Sequence, residues 1–304
     1  MQIERIYFFF PFFVGTNSLP LASPSLSSSF SHGMSTFVER LRALQTAKQS
    51  RLCVGLDPDP LRLPPHLLQT RDVVAAVLHF NRAIIEATAA SACAFKLNLA
   101  FFEALGSDGW RVLQTAIDQM PDDVLIIADA KRGDIGNSAR FYAASVFEQL
   151  GCDAITVAPY MGRDSVTPFL RYEGKAAFVL GRTSNPGAAD FQEQPCSNEP
   201  LYVRVARSVA TWGTEAPGTA GLVVGATDIP ALEKLRALCP TTPFLIPGVG
   251  AQGGDAAAVL AASATDEGLI LVNSSRSILY ASSEPDFAEV AAREAEALRH
   301  ALNG

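Results

Sequence analysis

Nowhere in these 304 residues do about 18 apolar side chains follow one another, so no membrane-spanning helix is expected. A basic surplus is also missing: 24 Lys and Arg face 31 Asp and Glu, a net charge of −7. Without excess cations to neutralise phosphates, nucleic-acid binding is excluded as the main role, although a local cationic pocket for one small anion fits that balance. Cysteine is sparse and unpatterned. Cys53, Cys93, Cys152, Cys196 and Cys239 are odd in number and include no Cys-x-x-Cys pair. Four lie in or beside apolar or helical segments and Cys196 in a polar loop, which reads as reduced thiols in a reducing, cytoplasmic compartment. The chain has no His-Glu-x-x-His, no Cys/His cluster and no dinucleotide fingerprint, so no metal, flavin or pyridoxal cofactor is expected.

What is abundant is apolar surface, 48% of residues against 18% charged, enough for the core of a globular protein. The length suits two small domains or one large barrel. Residues 1–33 stand apart. Ile6 to Val14 is a short aromatic block, and Thr16 to Gly33 is polar and rich in Ser and Pro. Glu4 and the lack of a small-x-small cleavage site argue against a signal peptide, and the paucity of Arg argues against a transit peptide. The expectation is a non-folding extension ahead of a domain spanning residues 34–304, with Met34, at the change in composition, as an alternative start.

From Met34 onward strand-like runs and helical patterns alternate. The runs are Leu52–Asp57, Ala94–Asn98, Val124–Asp129, Ala154–Val157, Ala176–Leu180, Gly221–Gly225, Phe244–Pro247 and Gly268–Val272. Helical patterns cover Asp72–Ser91, Phe101–Met120, Asn137–Leu150, Ser165–Tyr172, Leu201–Trp212, Ile229–Leu238, Asp255–Ala262 and Asp286–Leu302. Eight such pairs within about 270 residues predict a single-domain (β/α)₈ TIM barrel. An open doubly wound sheet would place its glycine-rich turn after the first strand, whereas here that turn follows the seventh.

A barrel builds its site from the carboxyl ends of its strands. Those positions hold Asp57 after the first run, Lys96 in the second, and Asp129 with Lys131 closing the third. Side chains two apart on a strand share a face, so Asp129 and Lys131 are expected to point the same way. Opposite charges on a buried strand are costly unless they pair or do chemistry, and Lys96 interrupts an apolar run where a lone ammonium would be expensive. Asp134 lies past the strand and must act from a loop. After the seventh run, Pro247-Gly248-Val249-Gly250-Ala251-Gln252-Gly253-Gly254-Asp255 leads into a helix, and after the eighth comes Asn273-Ser274-Ser275-Arg276. Glycines that admit an anion, a helix N-terminus and an adjacent guanidinium make a phosphate site.

With these residues assembled, the chain resembles the orotidine 5′-phosphate decarboxylase family, in its longer bacterial-type branch, from about Met34 to the C-terminus. The resemblance rests on FKLNLAFFEALG at 95–106, DAKRGDIGNSA at 129–139, APYMGRDS at 158–165, GRTSNPGA at 181–188 and PGVGAQGG at 247–254. Ser275 departs from the shorter branch, where Gly is usual. The resemblance implies conversion of orotidine 5′-phosphate to UMP and CO₂, the last step of UMP synthesis, without a cofactor. It implies that Lys131 donates the proton to C6 and that Asp129 sits against the substrate carboxylate. Lys96 would bridge Asp129 and the ribose, and Asp57 would accept from a ribose hydroxyl. Asp134, with Ile135 and Ser138, would enter the neighbouring subunit's site in a homodimer. Ser184 or Asn185 would read the pyrimidine edge, while Gln252, Gly253, Gly254 and Arg276 would hold the phosphate. His32, His66, His79 and His300 fall outside that site. Three other readings stay open: a metal-dependent sugar-phosphate decarboxylase with the same Asp-x-Lys-x-x-Asp motif, a Schiff-base aldolase, and a non-catalytic nucleotide-binding regulator.

Overall fold

Eight parallel strands close into a barrel in the order β1-β2-β3-β4-β5-β8-β9-β10, with β10 pairing back to β1. They are β1 (Leu52–Leu56), β2 (Ala94–Asn98), β3 (Leu125–Arg132), β4 (Ala154–Val157), β5 (Ala176–Arg182), β8 (Thr219–Val224), β9 (Phe244–Pro247) and β10 (Ile270–Ser274). This computed structural model describes residues 35–250 and 254–303. The expected extension over residues 1–33, together with Gln252 and Gly253, lies outside the described residues. Each barrel strand falls on one of the runs read from the sequence. The short β6 (Pro195–Cys196) and β7 (Glu199–Pro200) add an antiparallel ribbon in the long loop after β5, too brief to leave a periodic signal.

Helix α1 (Phe37–Lys48) precedes the barrel and opens on a capping box, in which Thr36 accepts from Glu39 N–H and the Glu39 carboxylate accepts from Thr36 N–H. After β1 come α2 (Pro65–Thr70) and α3 (Val73–Thr88), and after β2 come α4 (Leu99–Glu103) and α5 (Gly109–Asp118). The remaining strands are followed by α6 (Gly136–Ala144), α7 (Arg163–Leu170), α8 (Leu201–Thr214), α9 (Ile229–Leu238) and α10 (Ala256–Ser263), and finally by α11 (Arg276–Leu279) and α12 (Phe287–Ala301). The single helix expected over Phe101–Met120 is two helices, because Gly106 adopts φ 67° and breaks the first before α5 restarts. The pattern over Asn137–Leu150 is continuous, but α6 passes into a π-helical turn at Ser145–Gln149.

Strand periodicity divides the core in two. Outward residues such as Leu52, Val54 and Leu56 of β1 pack beneath the helices, while Cys53, Ala94, Leu125, Ile127, Ala154, Phe178, Leu245 and Leu271 fill the barrel interior. Phe37 and Leu41 of α1 join that interior cluster at the amino-terminal end, where the Phe37 and Phe178 rings meet edge to face at 5.9 Å. Continuing inward two residues at a time, the interior becomes polar towards the carboxyl end: Cys53 gives way to Asp57, Ala94 to Lys96, Ile127 to Asp129, Ala154 to Thr156 and Leu271 to Asn273.

Two buried ionic joints brace the barrel wall. Asp153, just before β4, accepts from Ile126 N–H at 2.9 Å and pairs with Arg40 at 2.8 Å and Lys175 at 3.5 Å, tying α1 to β3 and to the approach to β5. On the other side Arg236 of α9 is 5% exposed and pairs with no carboxylate among the described residues. Its guanidinium instead serves the main-chain carbonyls of Ser263, Cys239, Pro240, Thr242 and Leu269 and lies 3.8 Å from the Phe244 ring centroid. Burial lowers its pKa to about 10, still a cation at neutral pH. Arg236→Leu should cost at least ~3 kcal/mol, because each buried carbonyl left without a donor costs about 1–3 kcal/mol. Urea unfolding monitored by circular dichroism measures it.

Candidate active site

The polar interior residues open into a cavity of about 520 Å³ at the carboxyl ends of the strands. Its floor carries the charges. Lys96, 4% exposed, donates to Asp129 Oδ2 at 2.9 Å and lies 3.9 Å from Asp57 Oδ1. The other carboxylate oxygen of Asp129 accepts from Lys131 Nζ at 2.6 Å and from Thr156 Oγ1 at 2.8 Å. Asp57 lines the cavity, while its Oδ1 is buried on the Lys96 side and makes no hydrogen bond among the described residues.

Electrostatics keep this array ionised. Burial alone would favour a neutral Lys96, but Asp57 and Asp129 outweigh it and hold its pKa above the usual lysine value. Burial likewise favours protonated Asp129, and Lys96 and Lys131 outweigh it and hold the carboxyl below the usual range. The Asp129 contribution to stability is therefore complete above the unfolded carboxylate pKa and is lost only as pH falls through the depressed folded value. That of Lys96 is complete below the unfolded amine pKa and is lost only as pH rises through the raised folded value.

Lys131 reaches Asp129 differently from the expected alternation. The strand runs three residues beyond Asp129 to Arg132, and the β3–β4 register slips between Ala128 and Arg132. Lys131 sits in the slip at φ 47°, so a bulge rather than a regular pleat turns its half-exposed side chain over the carboxylate.

The opposite wall is built for an anion. Pro247, Gly248 and Val249 line the cavity together with Ser275 and Arg276, which begins α11. Among the described residues the Arg276 side chain has no carboxylate partner. Gly248 has φ 106°, a backbone closed to most side chains, and Gly254 N–H returns to its carbonyl at 3.1 Å to close the turn. Ser275 is accommodated by the neighbouring strand. A Cβ at Gly55 would lie 1.9 Å from Ser275 Oγ, so the missing side chain on β1 makes room for the serine.

The loop after β5 supplies Thr183, Ser184, Asn185 and Gln192 to the cavity. Gln192 accepts from Thr183 N–H at 2.8 Å and donates to Thr183 Oγ1 at 2.7 Å, while Thr183 Oγ1 donates to Asn185 Oδ1 at 2.7 Å. These bonds fix the turn that presents Ser184 and Asn185.

Of the residues singled out in the sequence, Asp57, Lys96, Asp129, Lys131, Ser184, Asn185 and Arg276 line one cavity. Gly254 closes the turn beside it. Asp134, Ile135 and Ser138 do not line the cavity of their own chain; the Asp134 carboxylate accepts from Ile135 N–H at 2.8 Å, and Ile135 and Ser138 are exposed. Gln252 and Gly253 lie outside the described residues. The sequence reading missed Asn98, Thr156, Thr183, Gln192 and Asn273. Asn98 was within reach, since it follows Lys96 by two on one strand face. Thr156 is an ordinary β-branched strand residue and gave no signal, and Gln192 lies in a loop without periodicity.

Residues 50–291 match the model of the Orotidine 5'-phosphate decarboxylase / HUMPS family, and the chain belongs to that family. It is 47% identical over 272 residues to the orotidine 5'-phosphate decarboxylase of Herpetosiphon aurantiacus, covering 88% of this chain and 99% of that one. The Paracidovorax citrulli protein of the same name is 47% identical over 274 residues, covering 88% and 98%. Among solved structures, Leishmania donovani OMP decarboxylase superposes with a TM-score of 0.74 at 40% identity, covering 88% of this chain and all of that one. Leishmania donovani UMP synthase gives 0.75 at 41% identity, with 87% of this chain spanning 56% of that larger protein.

Lys96→Met should destabilise the protein by ~3–5 kcal/mol at neutral pH, because it leaves buried carboxylates short of a counter-charge. The deficit should shrink as pH falls towards about 4. Lys96 is one of the two cations that hold the Asp129 carboxyl below the usual range, so the variant gives up less stability than the wild type as that group takes up its proton. Urea titrations at several pH values test the magnitude and the sign.

Proposed function

We propose that this protein decarboxylates orotidine 5′-phosphate to UMP and CO₂ in pyrimidine nucleotide synthesis, as a carboxy-lyase. The observation that carries this reading is the cavity itself, with a buried Asp–Lys array on one wall and a glycine turn with Arg276 on the other. The phosphate binds at the Arg276 wall with Gln252, Gly253 and Gly254, and its remote binding energy orients the pyrimidine over the array. Asp57 takes a ribose hydroxyl, and Ser184 and Asn185 face the pyrimidine edge. The substrate carboxylate is placed against Asp129. The bond from C6 to the carboxylate carbon breaks, CO₂ leaves, and the electron pair stays on C6 as a carbanion stabilised by the Lys131 ammonium. Lys131 then gives its proton to C6 and is left as a neutral amine. No step needs a cofactor.

The functional unit is a cytoplasmic homodimer with shared sites. Asp134, Ile135 and Ser138 do not line the cavity of their own chain, and Ile135 and Phe141 are exposed, as are Tyr160 and Met161 in the loop after β4. A second copy of the chain laid over these apolar side chains would bring its own Asp134 loop to this cavity. Among the described residues no helix is long and apolar enough to cross a membrane. The barrel beginning at Met34 carries the whole activity.

Purified protein should consume orotidine 5′-phosphate, followed by absorbance, at the same rate with and without chelator. A chain starting at Met34 should match it. No turnover by folded protein, or loss of activity in chelator, would sink the reading; the latter outcome would favour a metal-dependent sugar-phosphate decarboxylase. Lys131→Ala and Asp134→Ala should each be nearly inactive, yet mixing them under subunit exchange should restore up to roughly a quarter of wild-type activity. Equal amounts make about half the dimers mixed, and each mixed dimer has one intact site of two. Exchange without recovery places Asp134 in its own chain's site.

A further inference from the structure

On either side of the β3–β4 slip, Ala128 pairs with Ile155 and Arg132 with Val157. Asp129, Ala130 and Lys131 therefore stand opposite Thr156 alone. Two surplus residues in one strand must bulge, and the chain absorbs them by placing Lys131 at φ 47°, a region that non-glycine residues occupy at a cost. Something has to hold that conformation. Thr156 is 1% exposed, and its Oγ1 accepts from Lys131 N–H at 2.9 Å while donating to Asp129 Oδ1 at 2.8 Å. Both directions are forced, because an amide nitrogen cannot accept and a carboxylate cannot donate. The same Oδ1 takes Lys131 Nζ at 2.6 Å. The bonds close a ring from Lys131 N–H through the Thr156 hydroxyl and the Asp129 carboxylate to Lys131 Nζ.

We infer that Thr156 is a positioning residue, whose hydroxyl holds the Lys131 backbone and the Asp129 carboxylate in one frame and so sets where the Lys131 ammonium meets C6. The inference rests on the role proposed for Lys131. A lysine side chain on a half-exposed stem has many rotamers, and a ring anchored at both its main chain and its tip leaves few. Thr156 is distant in sequence from both partners and gives up no proton to substrate, since its one hydrogen is engaged by Asp129. Its effect belongs to alignment, where a displacement of about 1 Å costs up to ~100-fold in rate. The phosphate contacts and the Asp57 contact to the ribose belong to other strands, so the binding energy they supply is outside its reach.

The test compares Thr156→Val, which keeps the shape and removes the hydroxyl, with Thr156→Ser, which keeps the hydroxyl. With orotidine 5′-phosphate as substrate, Val should lower kcat by ~10–100-fold while KM and the Kd for UMP stay within about twofold. Ser should recover kcat to within about threefold of wild type. If Val does not fold, Thr156→Ala, which also lacks the hydroxyl, is read in the same way. The inference is overturned if the hydroxyl-free variant keeps kcat within about twofold, if Ser is as slow as that variant, or if KM and UMP affinity worsen in step with kcat, the mark of a merely structural bond. Lys131→Ala runs alongside. If it retains wild-type activity, the role of Lys131 falls and this inference falls with it; if it is inactive, any failure belongs to Thr156 alone.

Discussion

Asp129 lies at the level of the barrel where apolar filling ends, and its carboxylate must keep a charge with almost no water to solvate it. Stripping an ionised carboxylate of hydration costs several kcal/mol even after relaxation, so the charge survives only if donors replace the lost water. The fold supplies them from three consecutive strands: Lys96 from β2, Lys131 from β3 itself and Thr156 from β4. Barrel closure is what allows this. Curvature points neighbouring strands' inward residues at one another, and parallel register brings Asn98 beside Asp129, so that Lys96, two residues earlier on the same face, lies within reach of the carboxylate.

The same geometry explains the division between stability and chemistry along the barrel axis. The lower interior is apolar and closed by Phe37 and Leu41, and the upper interior is polar and open. Each strand contributes to both by continuing its two-residue period. One additional polar layer at the carboxyl end turns a packing scaffold into a site, with no separate domain needed to hold it.

Much of this was legible in the sequence because a buried parallel strand is a conspicuous object. Short Val/Ile-rich runs separated by amphipathic segments placed all eight strands, and charges interrupting them, such as Lys96 and Asp129, marked the floor of the site. Residues whose function comes from register rather than type were not legible. Lys131 was expected to face Asp129 by simple alternation and does so through a bulge, which no hydrophobic pattern encodes. Thr156 has the composition of any strand, and its significance is only that three residues face it. Gln192 and the β6–β7 ribbon belong to a loop, where tertiary hydrogen bonds, not periodicity, set the path. Gly106 did carry a signal inside the helix expected over Phe101–Met120, but a lone glycine reads as a weak spot until its backbone angle is known.

The buried Arg236 joint has a bearing on how the molecule meets acid. The wall formed by β1 to β5 depends on carboxylates: Asp129 with its lysines, and Asp153 with Arg40 and Lys175. Protonation of Asp129, whose lysines hold its carboxyl below the usual range, removes that attraction. The wall around β9 and α9 depends on a guanidinium facing neutral carbonyls, a set of bonds with no proton to gain and a cation that persists up to about pH 10. Acid therefore reaches the charges that line the cavity and leaves the Arg236 bonds as they are.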